Sequence, residues 1–291
     1  MPMHPSAPED LQGLVEAFGH TAQAVVDLTF TLAESDFEKP TQCPGWTVKD
    51  QVSHVTSIEL AMLGRPDRDI EVPPYDHVRS ELGATLEKGV ELRRKRPGRE
   101  VVEELQRVLA ERMGRLRDPE LTEDSVVDTL LGPKPLAQAL RLRIFDTWCH
   151  EQDIRTALGR IGNLDSPAAA VSVDWVIKSL PQIVVRRAKI EPGKVVMLDL
   201  TGPVQVRAGI RVDVGEDGRP IGREMYSGGT DETGPIPAIG KTTNIKMATE
   251  PFMRRAAGRQ SVDELHYSAS VSYTHLRAHE TDSYLVCRLL L

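Results

Sequence analysis

The sequence predicts an α+β chain, with an N-terminal four-helix bundle followed by a small α+β domain. Three observations carry this. Up to about residue 160, apolar residues recur at spacings of three and four along extended segments, with no strand pattern between them. Beyond Gly162 the pattern changes to alternation over short segments. The length, 291 residues, is enough for two cores.

The elements follow in order. Residues 9–33 form a first helix, with Leu11, Leu14, Val15, Phe18, Ala22, Val25 and Leu28 on one stripe. Residues 35–46 are a loop with Lys-Pro and Cys-Pro-Gly-Trp turn signals, in which Trp46 anchors the next helix. Thr47 caps that helix, Asp50 completes a capping box, and Val48, Val52, Val55, Ile58 and Met62 form its apolar stripe. Helical segments follow at 76–95 and 99–116, broken by Pro97-Gly98. Residues 119–135 read as a long connector. A helix over 136–158 ends at Gly159, a C-cap signal. Residues 167–188 give one more helix. Segments 194–200, 204–207, 210–214 and 244–248 alternate as strands, and Thr249 caps a short helix with Pro251 in its first turn. The expected domains are 1–162, a metal-binding bundle, and 163–269, a small α+β domain.

Residues 270–291 stand apart. Val271-Ser-Tyr-Thr-His-Leu-Arg-Ala-His-Glu-Thr281 and Leu285-Val-Cys-Arg-Leu-Leu-Leu291 look like translated sequencing adapter. They are set aside as non-native, with the second domain expected to be cut short there.

The net charge is −7, which gives no reason to expect nucleic acid. The one basic run, Arg93-Arg-Lys-Arg96, reads as a solvated loop. With the adapter removed, Cys43 and Cys149 remain, too few for a disulfide framework; a reducing cytoplasm is expected. The first residues lack a signal-peptide pattern, and no apolar run of spanning length is expected, hence no membrane.

The chemistry concentrates in Arg143-Ile-Phe-Asp-Thr-Trp-Cys-His-Glu-Gln-Asp-Ile-Arg155. Asp146 and His150 are four residues apart, so both project from one helix face. His54 sits beside the apolar stripe of the second helix and points near the bundle interior. A buried Asp and two buried His are costly unless charge is compensated, and a divalent cation compensates them. Three ligands of mixed O and N type, with a fourth position open, suit a zinc-type site. Each residue also has a plain reading: a core histidine for His54, and an i, i+4 hydrogen bond for Asp146 and His150. Glu151 is rotated about 100° from His150. It is a hydrogen-bond partner of a metal ligand, a catalytic base at the edge, or a surface charge. Asp153 and Arg155 read as an ion pair at the helix end, and Cys149 as a small apolar filler.

Cys43-Pro-Gly-Trp-Thr-Val-Lys-Asp-Gln-Val-Ser-His54, followed by Phe145-Asp-Thr-Trp-Cys-His-Glu-Gln-Asp-Ile-Arg155-Thr-Ala-Leu-Gly159, resembles the mycothiol-dependent maleylpyruvate isomerase family. The resemblance covers about residues 9–160 and extends weakly over the second half. It implies a DinB-like metal-binding bundle, a sterol-carrier-like second domain, and His54, Asp146 and His150 as ligands of a divalent metal, zinc. The characterised pattern has glutamate where Asp146 stands, one methylene longer. The resemblance further implies mycothiol, a cysteine-containing thiol of actinobacteria, as co-substrate. Its thiolate would add to a small electrophile and leave (isomerase) or remain attached (transferase). Monomer and homodimer both stay open. Arg207, Arg211 and Arg223 are the candidates for binding a substrate carboxylate. The alternatives are a non-catalytic metal- or ligand-binding module and a metal-dependent hydrolase with Glu151 as base.

Overall fold

The computed structural model describes residues 2–225 and 242–272. It forms two compact units, one of Pro8–Ser172, the other of the described residues of Met1–Ala7 and Val173–Leu291. The division falls inside a helix, ten residues beyond the Gly162 boundary read from the sequence. The short strand β1 (Met3–His4) belongs to the second unit.

The first unit is helical. Helix α1 (Leu11–Thr29) starts at Asp10, whose Oδ1 accepts the Gly13 N–H at 2.7 Å. The expected loop before Trp46 contains one turn of helix, α2 (Glu34–Phe37). Its Glu34 carboxylate accepts the Gly98 N–H at 2.8 Å and the Arg99 N–H at 3.3 Å, capping a helix that has no cap of its own. Helix α3 (Val48–Met62) begins with the expected capping box: the Thr47 N–H donates to Asp50 Oδ2 at 2.9 Å, and the Asp50 N–H donates to Thr47 Oγ1 at 3.3 Å. Helix α4 (Glu81–Arg94) starts five residues later than its periodicity suggests, because Ser80 Oγ accepts the Gly83 N–H at 3.0 Å and sets the start there. Helix α5 (Gly98–Leu116) follows.

The connector before the next helix is not featureless. Strands β2 (Val126–Val127) and β3 (Lys134–Pro135) pair as a small antiparallel hairpin. Helix α6 (Leu136–Leu158) then ends at Gly159, which adopts φ 65° as a left-handed cap. Phe18, Leu105, Leu140 and Ile144 are fully buried between these helices. Each contributes about 1.5–3 kcal/mol of burial.

The basic run is not a solvated loop. Arg93 is 2% exposed and pairs with Asp67 at 2.7 Å and Glu104 at 2.7 Å; Arg94 pairs with Glu91 at 2.8 Å and also with Glu87. Acidic residues on the loop and on α4 and α5 neutralise the run, which sequence spacing alone does not display.

Helix α7 (Pro167–Lys178) continues as α8 (Leu180–Gln182) and a π-helical turn, Ile183–Arg187. The run Pro167–Arg187 is long and apolar enough to cross a membrane by length and composition, contrary to the expectation that none is; 56% of its most apolar window is buried in the protein.

In the second unit, β4 (Val195–Thr201), β5 (Gln205–Val214), β6 (Pro220–Glu224), β7 (Thr242–Ala248) and β8 (Tyr267–Ser272) join β1 in one sheet ordered β1-β5-β4-β7-β8. Strand β6 also pairs with β5, so β1 and β6 share its outer edge. The two strand segments expected over 204–214 are one continuous strand. Among the described strands only β4 and β7 run parallel, with Leu198 opposite Ile245. Val195–Leu198 of β4 are buried on both faces, as suits a central strand. Strand β8 includes residues 270–272 of the stretch set aside as adapter; residues 273–291 lie outside the described residues. Helix α9 (Thr249–Ala256) is not capped by Thr249. The Thr249 hydroxyl is turned to the Val204 and Thr201 carbonyls, tying the helix to the end of β4.

Candidate metal centre

The candidate residues come from two helices of the bundle and the loop before α3. Helix α3 supplies His54, 2% exposed, and α6 supplies Asp146 and His150, the latter 5% exposed. His54 Nε2 lies 3.3 Å from Asp146 Oδ2, and His150 Nε2 lies 3.4 Å from Asp146 Oδ1. One ligand atom from each of the three lies within 4.8 Å of the others, and this set could hold a metal ion. The separations suit it: tetrahedral ligands bonded at roughly 2.0–2.1 Å stand about 3.3 Å apart.

A chain of hydrogen bonds fixes the proton on His150. The Trp46 carbonyl can only accept, so the Thr41 hydroxyl donates to it at 2.8 Å. Thr41 Oγ1 therefore accepts from Gln51 Nε2 at 2.6 Å, which turns Gln51 Oε1 toward His150 Nδ1. An amide oxygen can only accept, so Nδ1 carries a hydrogen, which leaves Nε2 as the ring atom directed at Asp146. Ligand histidines are typically held in this way by a carbonyl on the other nitrogen. With Nδ1 occupied, Nε2 is the atom available to share a cation with Asp146 and His54, which suits a metal site. His54 lacks this support, since its Nδ1 is buried with no hydrogen-bond partner.

The electrostatics follow from burial and pairing. Burial pulls the His54 pKa down to about 4, so this imidazole is neutral near pH 7. Burial pushes the Asp146 carboxyl up, but His150, Arg143 and His54 outweigh it and hold the group well below the usual range. Behind Asp146 stands a row of alternating charge. Arg143 Nη1 donates to Asp146 Oδ2 at 2.6 Å and Nε to Glu59 Oε1 at 2.7 Å, while Arg112 Nε donates to Glu59 Oε2 at 3.1 Å. Glu59 is fully buried. The Trp46 ring, expected as an anchor, packs over both imidazoles, with centroids 5.0 Å from His54 and 5.8 Å from His150. Its Nε1–H donates to buried Glu87 at 2.9 Å.

Other expected residues go elsewhere. Glu151 is fully buried with its oxygens taken by Thr21 at 2.6 Å, Arg155 at 2.7 Å and Asn163 at 2.6 Å. Arg155 thus pairs with Glu151 and not, as expected, with Asp153; Asp153 Oδ2 lies 3.8 Å from His150 Nδ1. Cys149 is buried and Cys43 half-buried, and neither forms a disulfide. In the sheet unit Arg207 pairs with Asp199 at 3.4 Å, and Arg211 and Arg223 both pair with Asp213, at 3.0 and 3.2 Å. Sequence reasoning missed Gln51, Glu59, Arg112 and Arg143. The available signal was polar residues at 51 and 59 directly bordering the apolar stripe of α3.

Comparison with known proteins agrees with this architecture. Residues 18–155, all within the helical unit, match the family model of the mycothiol maleylpyruvate isomerase N-terminal domain. A crystal structure of the mycothiol-dependent maleylpyruvate isomerase aligns at 15% identity over 94% of this chain and 97% of that one, with a TM-score of 0.51. A mutant of the mycothiol-dependent maleylpyruvate isomerase, with histidine replaced by alanine, aligns at 16% identity over 89% and 93%, also at 0.51. At such identity the likeness speaks for the fold, a helical N-terminal domain with a sheet domain. A search of curated proteins gave no match. The matched residues include both segments singled out in the sequence, those around His54 and His150, so the helical unit is similar to the mycothiol maleylpyruvate isomerase N-terminal domain.

Proposed function

We propose that this chain is a metal-dependent enzyme that uses the thiol mycothiol to isomerise, or to transfer the thiol to, a small electrophilic substrate. The observation that carries the reading is the His54–Asp146–His150 set, with His150 Nε2 directed at Asp146 by the Gln51 contact on Nδ1. A divalent cation, zinc for this donor set, would stabilise the thiolate form of a bound thiol when present. The chain's own residues do the rest. Gln51 holds the tautomer of His150, and Arg143 keeps Asp146 ionised and oriented. Trp46 covers the imidazoles and keeps water from that side. With Glu151 engaged by three structural partners, we assign it to holding α1, α6 and the Asn163 turn together, which leaves the hydrolase reading without its base. A monomer or homodimer in the cytoplasm, acting on small molecules and not on nucleic acid or membrane, completes the proposal.

Metal analysis of the purified protein tests it. About one zinc per chain is expected, lost in His150→Ala. No metal in the parent protein would end the reading. Turnover dependent on mycothiol separates the enzyme from a binding module, and turnover without any thiol would point to hydrolysis.

A further inference from the structure

A cavity of about 160 Å³ opens beside the triad, within the helical unit. One end is polar, formed by His54, Asp146 and Arg143. The rest is apolar: Ile58 and Met62 from α3, Leu86 from α4, Leu142 from α6, and Leu130 and Leu131 from the β2–β3 hairpin. The hairpin tip is closed by the Gly132 N–H to the Thr129 carbonyl at 3.0 Å and by the Thr129 hydroxyl to the Gly132 carbonyl at 2.7 Å. It thereby presents two leucines that remain 45% and 54% exposed. Exposed leucines beside a lined cavity are a costly surface unless something apolar is placed against them.

The cavity offers no free positive charge among the described residues. Its one guanidinium, Arg143, has an acceptor on every nitrogen: Glu59 at 2.7 Å, Asp146 at 2.6 Å and Thr147 at 3.3 Å. A carboxylate brought against the leucines would lose its hydration without gaining a counter-ion, a cost that falls on the charged group alone. An apolar group meets no such cost. A cavity of roughly 150 Å³ lined by aliphatic side chains accepts a benzene ring.

We infer that the electrophile taken by this site carries a neutral apolar group of about ring size, seated among the leucines with its reacting end toward the triad. The word electrophile rests on the proposed thiol enzyme; the preference for a neutral apolar group rests on the cavity alone.

Two measurements on the full chain keep these apart. The first is binding without thiol or metal, followed through the methyl NMR signals of Leu86 and Leu142. The probes are unreactive 4-phenylbutan-2-one and its para-carboxylate analogue. The neutral ketone should shift both signals and bind at least tenfold more tightly than the carboxylate. The second is thiol consumption with zinc and mycothiol, using the reactive pair 4-phenylbut-3-en-2-one and its para-carboxylate. The neutral compound should lead by at least tenfold in kcat/KM, and Leu131→Lys, a change at the exposed rim, should shrink that ratio at least tenfold. Selective binding with no thiol consumption supports the cavity assignment and sinks the thiol-enzyme reading. A carboxylate probe that binds or reacts as well as the neutral one overturns the assignment and leaves the thiol enzyme standing. Failure of the neutral ketone to shift Leu86 and Leu142 overturns it as well.

Discussion

Replacing Gln51 by methionine should weaken zinc binding by about 10- to 100-fold, although Gln51 is not a ligand. Gln51 Oε1 is the acceptor that holds His150 Nδ1–H; the next oxygen, on Asp153, is 3.8 Å away, beyond hydrogen-bond range. Without that acceptor the His150 hydrogen is free to move to Nε2, where it blocks the ligand position. Removing a partner of this kind typically costs 10- to 100-fold in metal affinity, or about 1.4–2.7 kcal/mol. Methionine nearly matches glutamine in length, so the fold is retained. The stability loss should stay near 1–3 kcal/mol, from the unsatisfied groups on His150 and Thr41. Gln51→Glu keeps an acceptor and adds charge assistance, and should recover most of the affinity. Competition against a chromophoric zinc chelator at pH 7.5 reads all three proteins. Equal affinity in the parent and Gln51→Met, with His150→Ala devoid of metal, would refute the argument that the Thr41–Gln51 chain sets the tautomer.

Glu59→Gln should cost about 3–5 kcal/mol in denaturant unfolding, because it strips two buried guanidinium groups of their shared counter-charge. The metal-free protein should lose stability as pH falls from about 6.5 toward 4. His54 binds its proton more weakly folded than unfolded, so each step down in that window favours the unfolded chain, by about 3 kcal/mol in all. His54→Leu should flatten that limb in thermal melts, and an unchanged slope would count against a buried neutral His54. Asp146, whose carboxyl is depressed, adds a further loss only below its ordinary 3.8. Trp46→Phe keeps a ring over the imidazoles but leaves Glu87 short of one donor, and should destabilise by about 1–3 kcal/mol in the same assay.

Much of the fold was written in periodicity. The capping box of Thr47 and Asp50 and the stop at Gly159 need only local chemistry, and both stand where spacing put them. The association of His54, Asp146 and His150 was legible because two of them share a helix face and the third borders the apolar stripe of the helix packed against it. The supporting residues were less so. Gln51 and Arg143 act through partners about 100 and 80 residues away in the chain, and no spacing rule couples such positions. The same limit hid the neutralisation of Arg93 by Asp67 and Glu104, the pairing of β1 with the middle of the chain, and the escape of Thr249 from its capping role. Each is a long-range contact that overrides a sound local expectation.

Helix α5 gives the centre no donor atom, yet its Arg112 braces the carboxylate that braces Arg143, which in turn steadies Asp146. A change at position 112 therefore has a route to the orientation of the Asp146 carboxylate while His54, Asp146 and His150 themselves stay the same. The charge on that carboxylate is thus set in part from a helix that contributes nothing to the cluster itself.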